Sequence, residues 1–284
     1  MEYYVGVFIF AFFLRWSSAS TSFYGDTTRF VHAGCSQLNY TQNTPYQYNL
    51  NSLLASLANS ASTSTFSKFT STSASPSFPV YGYYQCRGDL SIPTCHFCVR
   101  SAITQLAPIC TCSSSAAIQL RGCSIRYGND SFLDQPDKTL IYRRCGSMSG
   151  TIRNGYEADL VGMREGVLEA LVDGGQTALY KARRVGDIDG VSQCVGDQTV
   201  ANCGDCVDEG VKEMRDACGG PAVTGEVYLG KCYVVYSLSS SETNGHGMKI
   251  SKKEIAVIVG ITTAVLALVL LLYFLGKYFA RGKG

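Results

Sequence analysis

In YNLNSLLASLANSA, residues 48–61, Leu50, Leu53, Leu54 and Leu57 recur at helical spacing and predict an amphipathic helix. ADLVGMREGVLEALVDG, residues 158–174, is read the same way. A second kind of helix is predicted over PTCHFCVRSAITQLAPIC, residues 93–110. There Pro93 suits the first turn, and Cys95, Cys98, Val99, Ala102 and Leu106 share one face. Alternating, β-branched and aromatic residues in AIQLRGCSIRY (117–127) and GEVYLGKCYVVYS (225–237) predict a hairpin closing each half of the chain. Between the helices of the first half lies SASTSTFSKFTSTSASPSFP (60–79), read as a variable surface loop whose Phe66, Phe69 and Phe78 pack on the domain. The alternative is an O-glycosylated tract. The matching GGQTALYKARRVGDIDG (174–190) has no Ser/Thr bias and favours the loop.

Both ends are apolar. Val5 to Leu14 is too short to span a bilayer and is followed by Ser17, Ser18 and Ala19, the pattern of a signal peptide over residues 1–19. Ile255 to Leu275 carries no charge and, at 1.5 Å per residue, would form a helix of about 32 Å, matching the hydrocarbon core. Its flanking cations balance, so orientation rests on the signal peptide, which would translocate everything before Ile255. Residues 241–254 are then a juxtamembrane linker and 276–284 a cytoplasmic tail too short for a folded domain, so signalling would pass through a partner.

With Arg15, Lys277, Arg281, Lys283 and Glu2 set aside, the translocated part carries 20 Lys+Arg against 21 Asp+Glu. That balance gives no support for nucleic-acid binding. The charges divide unevenly: residues 20–133 have six cations and three carboxylates, residues 134–240 eleven and sixteen, a difference that would favour contact between the halves or, as exposed charges are mostly solvated, equally mean nothing.

The cysteines show why the halves look alike. Cys86, Cys95, Cys98 and Cys110 recur 108 residues later as Cys194, Cys203, Cys206 and Cys218; Cys123 recurs as Cys232 and Cys35 as Cys145 at nearly the same offset. The chain thus carries a duplicated domain, copy one over 26–133 and copy two over 137–240. Cys112 alone has no counterpart.

In both copies a cysteine is followed by eight residues, a cysteine, two residues and a cysteine, with Gly-Asp after the first. Zinc would need two close thiolate pairs, and His96 inside the first motif is Gly204 in the second. A redox CxxC would need its first thiol free, whereas the upstream cysteine can bridge it. Disulfide stapling explains six cysteines per copy in small domains with limited cores, although spacing does not choose among the pairings. The RGD at Arg87 to Asp89 becomes Val195-Gly-Asp in copy two, so the repeated element is Gly-Asp, better explained by a turn than by adhesion. Asn39 and Asn129 head glycosylation tripeptides. His32, His96 and His246 lie in unrelated contexts, and no catalytic residue, cofactor site or metal ligand is assigned.

The cysteine spacing, the cysteine closing the second helix and the cysteine in GCSIRY or KCYVVY together resemble the ginkbilobin-like (stress-antifungal) cysteine-rich domain of plants. Two such domains after a signal peptide, then one membrane helix and a short tail, resemble the plasmodesmata-located protein family. The resemblance implies an α+β fold: two tandem disulfide-stapled domains, each two helices packed on an antiparallel β-sheet, followed by a single transmembrane helix. It implies the pairs Cys35–Cys110, Cys86–Cys95, Cys98–Cys123, Cys145–Cys218, Cys194–Cys203 and Cys206–Cys232, with Cys112 unpaired or competing with Cys110 for Cys35, a choice in which the 108-residue offset favours Cys110. The mannose-binding positions of the ginkbilobin lectin fall on Ser36, Ala117 and Gly128 in copy one and on Gly146, Glu226 and Ser237 in copy two, where the required chemistry is missing. The implied function is that of a non-enzymatic type I membrane protein at plasmodesmata, restraining cell-to-cell movement, promoting callose deposition and docking viral movement proteins. The implied partners are membrane and cytosolic proteins, including further copies or relatives in an oligomer. Gly260 and the Thr262-Thr263 pair would permit close helix contact with such a partner, the favoured alternative being an ordinary lipid-facing helix. The rival reading is a wall-glycan or mannose-binding defence receptor.

Overall fold

The computed structural model describes residues 27–147, 156–172, 178–220 and 222–238. The expected signal peptide (1–19), linker (241–254), membrane helix (255–275) and tail (276–284) lie outside these. Among the described residues no helix is long and apolar enough to cross a membrane.

Copy one contains β1 (Phe30–Cys35), α1 (Pro45–Ser60), β2 (Phe66–Ser71), β3 (Val80–Cys86), α2 (Ile92–Ile109), β4 (Ala116–Leu120) and β5 (Cys123–Gly128). Copy two repeats the order with β6 (Leu140–Ser147), α3 (Tyr156–Val172), β7 (Tyr180–Val185), β8 (Ile188–Cys194), α4 (Val200–Ala217), β9 (Ala222–Leu229) and β10 (Cys232–Leu238). The sheets are antiparallel, in the orders β1-β4-β5-β3-β2 and β6-β9-β10-β8-β7.

Local chemistry sets the helix starts. Pro45 opens α1. Ser91 Oγ accepts from Thr94 N at 3.4 Å to cap α2, and its equivalent Thr199 accepts from Asn202 N at 3.1 Å to cap α4.

The predicted hairpins are β4–β5 and β9–β10, but each belongs to a five-stranded sheet. The expected loop over residues 60–79 holds a strand instead. Residues 66–71 pair with β3 in register from Phe66↔Gln85 to Ser71↔Val80. Backbone pairing outweighs the Ser/Thr composition there, and the exposed Lys68 suits an edge strand. Phe66 is half-buried, whereas Phe69 and Phe78 are exposed and do not pack as expected.

The core of copy one joins Leu50, Leu53 and Leu57 of α1 to Val99, Ala102 and Leu106 of α2 and to Ile118, Leu120 and Ile125 of the sheet. Copy two matches it with Leu168 and Leu171 of α3, Val207, Val211 and Met214 of α4, and Val227 and Val234 beneath.

The disulfides lie against these cores. Cys35–Cys110 joins β1 to the end of α2, Cys86–Cys95 joins β3 to its start, and Cys98–Cys123 joins it to β5. In copy two the bonds are Cys145–Cys218, Cys194–Cys203 and Cys206–Cys232. Both copies belong to one compact unit.

Candidate functional site

The sheet faces turned away from the helices meet between the copies. Their contact is built on residues 108 positions apart. Gln85 Oε1 accepts from Gly196 N at 2.8 Å, and Gln193 Oε1 accepts from Gly88 N at 3.2 Å. Gly88 and Gly196 are the glycines of the repeated Gly-Asp element. Each lies in a turn, closed by Leu90 N donating to Arg87 O in copy one and Gln198 N to Val195 O in copy two.

The turn explains only part of that repetition. A Cβ on Gly88 would fall 2.5 Å from Tyr180 Cγ, and one on Gly196 would fall 2.5 Å from Phe66 Cγ. Phe66 pairs with Gln85 across β2–β3 and Tyr180 with Gln193 across β7–β8, so the two rings are equivalent. Each copy lays one aromatic ring on the bare backbone of the other's turn. Glycine is needed for this close approach.

The aspartates of the two turns have different partners. Asp89 takes Arg87 in a two-point ion pair, Nε–Oδ1 2.6 Å and Nη2–Oδ2 3.0 Å. The RGD side chains therefore neutralise each other, and Gly88 is covered by copy two. Asp197 instead takes the buried Lys231, whose Nζ also lies 5.0 Å from the Tyr83 ring and 5.6 Å from the Phe132 ring of copy one. Burial lowers the Lys231 pKa, against the raising effect of Asp197.

Three further ion pairs join copy one to the chain that follows it. They are Lys68–Asp134, Arg121–Glu226 at 3.2 Å and Arg126–Asp137 at 3.3 Å, each with its cation in copy one. This is how the opposite charge excesses are used.

These contacts enclose a cleft of about 260 Å³. His32, Tyr83, Gln119 and Arg121 line it from copy one, and Gln193, Tyr228 and Tyr233 from copy two. His32 stacks on Tyr142 at 5.4 Å and meets Tyr228 edge-on at 5.5 Å. Burial lowers its pKa to about 4, so it is neutral at ordinary pH. Burial likewise raises Tyr228 and Tyr233, which stay protonated hydrogen-bonding phenols.

The other singled-out residues are dispersed. His96 lies on α2, away from the cleft lining, and His246 is outside the described residues. Among the described residues no three His, Cys, Asp or Glu side chains gather to hold a metal ion. Asn39 and Asn129 are exposed at the end of copy one where Asn39 bridges Ser113. Cys112, with no disulfide, is half-buried beside them at φ 57°, and Gln42 Nε2 donates to its Sγ at 3.6 Å.

At the lectin-equivalent positions, Ser36 follows β1, Ala117 lies in β4 and Gly128 ends β5. Gly146 and Ser237 both face Thr224 in register, and Glu226 accepts from Arg121 and Arg144.

No local pattern marks Gln85, Gln193, Tyr180 or Lys231, and Phe66 stands out in the sequence only as a ring packing on its own domain. The repeat offset could have found the glutamines, which stand 108 residues apart just before matching cysteines.

Residues 34–130 and 145–239 match the salt stress response/antifungal family. The chain is 41% identical over 261 residues to plasmodesmata-located protein 7 of Arabidopsis thaliana, covering 90% of this chain and 85% of that one. It is 40% identical over 269 residues to plasmodesmata-located protein 6 of the same plant, covering 90% of each. Among solved structures, the tandem DUF26 ectodomain of the Arabidopsis thaliana cysteine-rich receptor-like protein PDLP8 aligns with a TM-score of 0.67 and 38% identity, covering 75% of this chain and 99% of that one. The PDLP5 ectodomain from the same plant aligns with a TM-score of 0.67 and 36% identity, covering 74% and 100%. The chain belongs to the plasmodesmata-located proteins, receptor-like proteins with a tandem of two salt stress response/antifungal domains.

Proposed function

We propose that this chain is a non-enzymatic type I membrane protein of plasmodesmata that regulates cell-to-cell trafficking. The observation that carries this reading is the likeness to plasmodesmata-located relatives along nine-tenths of the chain. On it, the paired domains face the wall space, with glycans on Asn39 and Asn129. The apolar segment 255–275 anchors the protein and recruits membrane and cytosolic partners. The finer roles are promotion of callose deposition and docking of viral movement proteins.

The test is a fluorescent fusion imaged with callose staining in the same cells. Puncta at cell junctions that coincide with callose are expected. A uniform plasma-membrane signal without such puncta would sink the proposal.

A second reading, a glycan-binding surface receptor, draws support from the aromatic and hydrogen-bonding lining of the cleft. Against mannose stand Gly146, Glu226 and Ser237, which supply neither the cationic donor nor the matching carboxylate in the lectin arrangement. A glycan array probed with the protein would decide it.

A further inference from the structure

We propose that a recess where the two copies meet binds carboxylate groups of an acidic, uronate-bearing polysaccharide. The recess holds about 120 Å³ and is lined by Arg29, Phe30 and Arg121 of copy one and Tyr142, Arg144 and Glu226 of copy two. Glu226 Oε1 accepts from Arg121 Nη2 at 3.2 Å and from Arg144 Nη2 at 3.4 Å. Two guanidinium groups thus share one oxygen of one carboxylate. Among the described residues the Arg144 side chain makes no other hydrogen bond, and it is 59% exposed. A guanidinium presents a planar fork of donors suited to bidentate capture of a carboxylate. The arrangement therefore leaves one positive charge and most of that fork open to a second, external carboxylate.

The neighbouring rings select among anions. Tyr142 faces the recess while stacked on His32, and Phe30 is 48% exposed at its rim. A pyranose ring carrying a carboxylate can place its C–H face on such a ring while the acid group meets Arg144. A bare phosphate has no use for the aromatic surface.

The space also continues beyond one sugar. An adjoining groove of about 250 Å³ shares Arg121 and Glu226 with the recess and runs past Thr224, Val235 and Ser237 to Tyr180. Its other charged groups are matched, Arg87 by Asp89 and Asp189 by Arg184. A neutral groove leading from a cationic recess fits a chain of sugars with an acid group at one end of the track. Because the recess takes its arginines from both copies, neither domain alone supplies it.

That the source is a wall polysaccharide rests on the outward orientation proposed above; the charge pattern does not. The experiment uses the full chain in detergent, immobilised and exposed to polygalacturonate, to the same polymer fully methyl-esterified, and to inorganic phosphate. Polygalacturonate is expected to bind at least about tenfold more tightly than its ester, and to weaken between about 50 and 300 mM salt. Arg144→Gln should weaken binding by about tenfold or more. Glu226→Gln should tighten it severalfold by removing the internal competitor, a gain that misfolding would not produce. Equal binding of acid and ester, or unchanged binding by Arg144→Gln, would overturn the proposal. Phosphate binding as tightly as the polymer would also overturn it, leaving a small-anion site. Retained polygalacturonate binding with a uniform fusion signal in cells would leave the recess standing and remove the plasmodesmal reading.

Discussion

Lys231 Nζ lies 2.5 Å from Asp197 Oδ2, with side-chain exposures of 1% and 0%. Asp197 Oδ2 also accepts from Asp134 N at 2.9 Å, in the segment joining the copies. The pair therefore holds the Gly-Asp turn of copy two, the turn between β9 and β10 and the connection from copy one around the rings of Tyr83 and Phe132. Removing one partner strands a buried charge, so Asp197→Ala should cost about 3–5 kcal/mol in urea unfolding. The double variant Asp197→Leu, Lys231→Met, which removes both charges, should recover most of that loss. A double variant no more stable than Asp197→Ala would show that the pair does more than avoid an orphaned charge.

The turn glycines give a second test. Gly88→Ala and Gly196→Ala should each push an aromatic ring off the opposing turn, at about 1–3 kcal/mol. The loss falls on the contact between copies, so the radius of gyration in solution scattering should rise while the far-ultraviolet circular dichroism is kept. Unchanged scattering and stability for both variants would refute the docking role of Gly-Asp.

His32 predicts how the contact responds to acid. In the fold its pKa is about 4, against an ordinary value near 6.5. Between those values the unfolded chain binds a proton that the folded chain refuses, so stability falls as pH drops from about 6.5 towards 4 and levels off below. His32→Phe should remove that component while keeping the stack on Tyr142. Identical melting temperature profiles against pH for parent and variant would rule His32 out as its source.

Cys112 should be dispensable for folding. Cys112→Ser is expected to shift stability by less than about 0.5 kcal/mol, whereas Cys35→Ser with Cys110→Ser should cost about 2–5 kcal/mol. Non-reducing peptide mapping reads the bond directly. A Cys35–Cys112 peptide in place of Cys35–Cys110 would reverse the assignment.

Much of this molecule is written in short-range pattern. The helix carrying Cys95 and Cys98 follows from Pro93 and one apolar face, and the closing hairpins follow from alternation, because those signals act between residues close in the chain. Duplication is visible in the constant cysteine offset, and with it the discounting of His96 and of RGD. The edge strand Phe66–Ser71 was hidden, because a Ser/Thr-rich segment becomes a strand only when β3 supplies its hydrogen-bond partners.

The site was hidden for a stronger reason. Gln85 meets Gly196 across 111 residues and Arg121 meets Glu226 across 105, contacts that no local period encodes. The sequence by itself determined two like domains and the turn that each carries after its first motif cysteine. Only the tertiary structure decided that the two turns dock on each other's sheets, and that Arg121 and Arg144 converge on one carboxylate. Burial of complementary faces from distant segments made those choices.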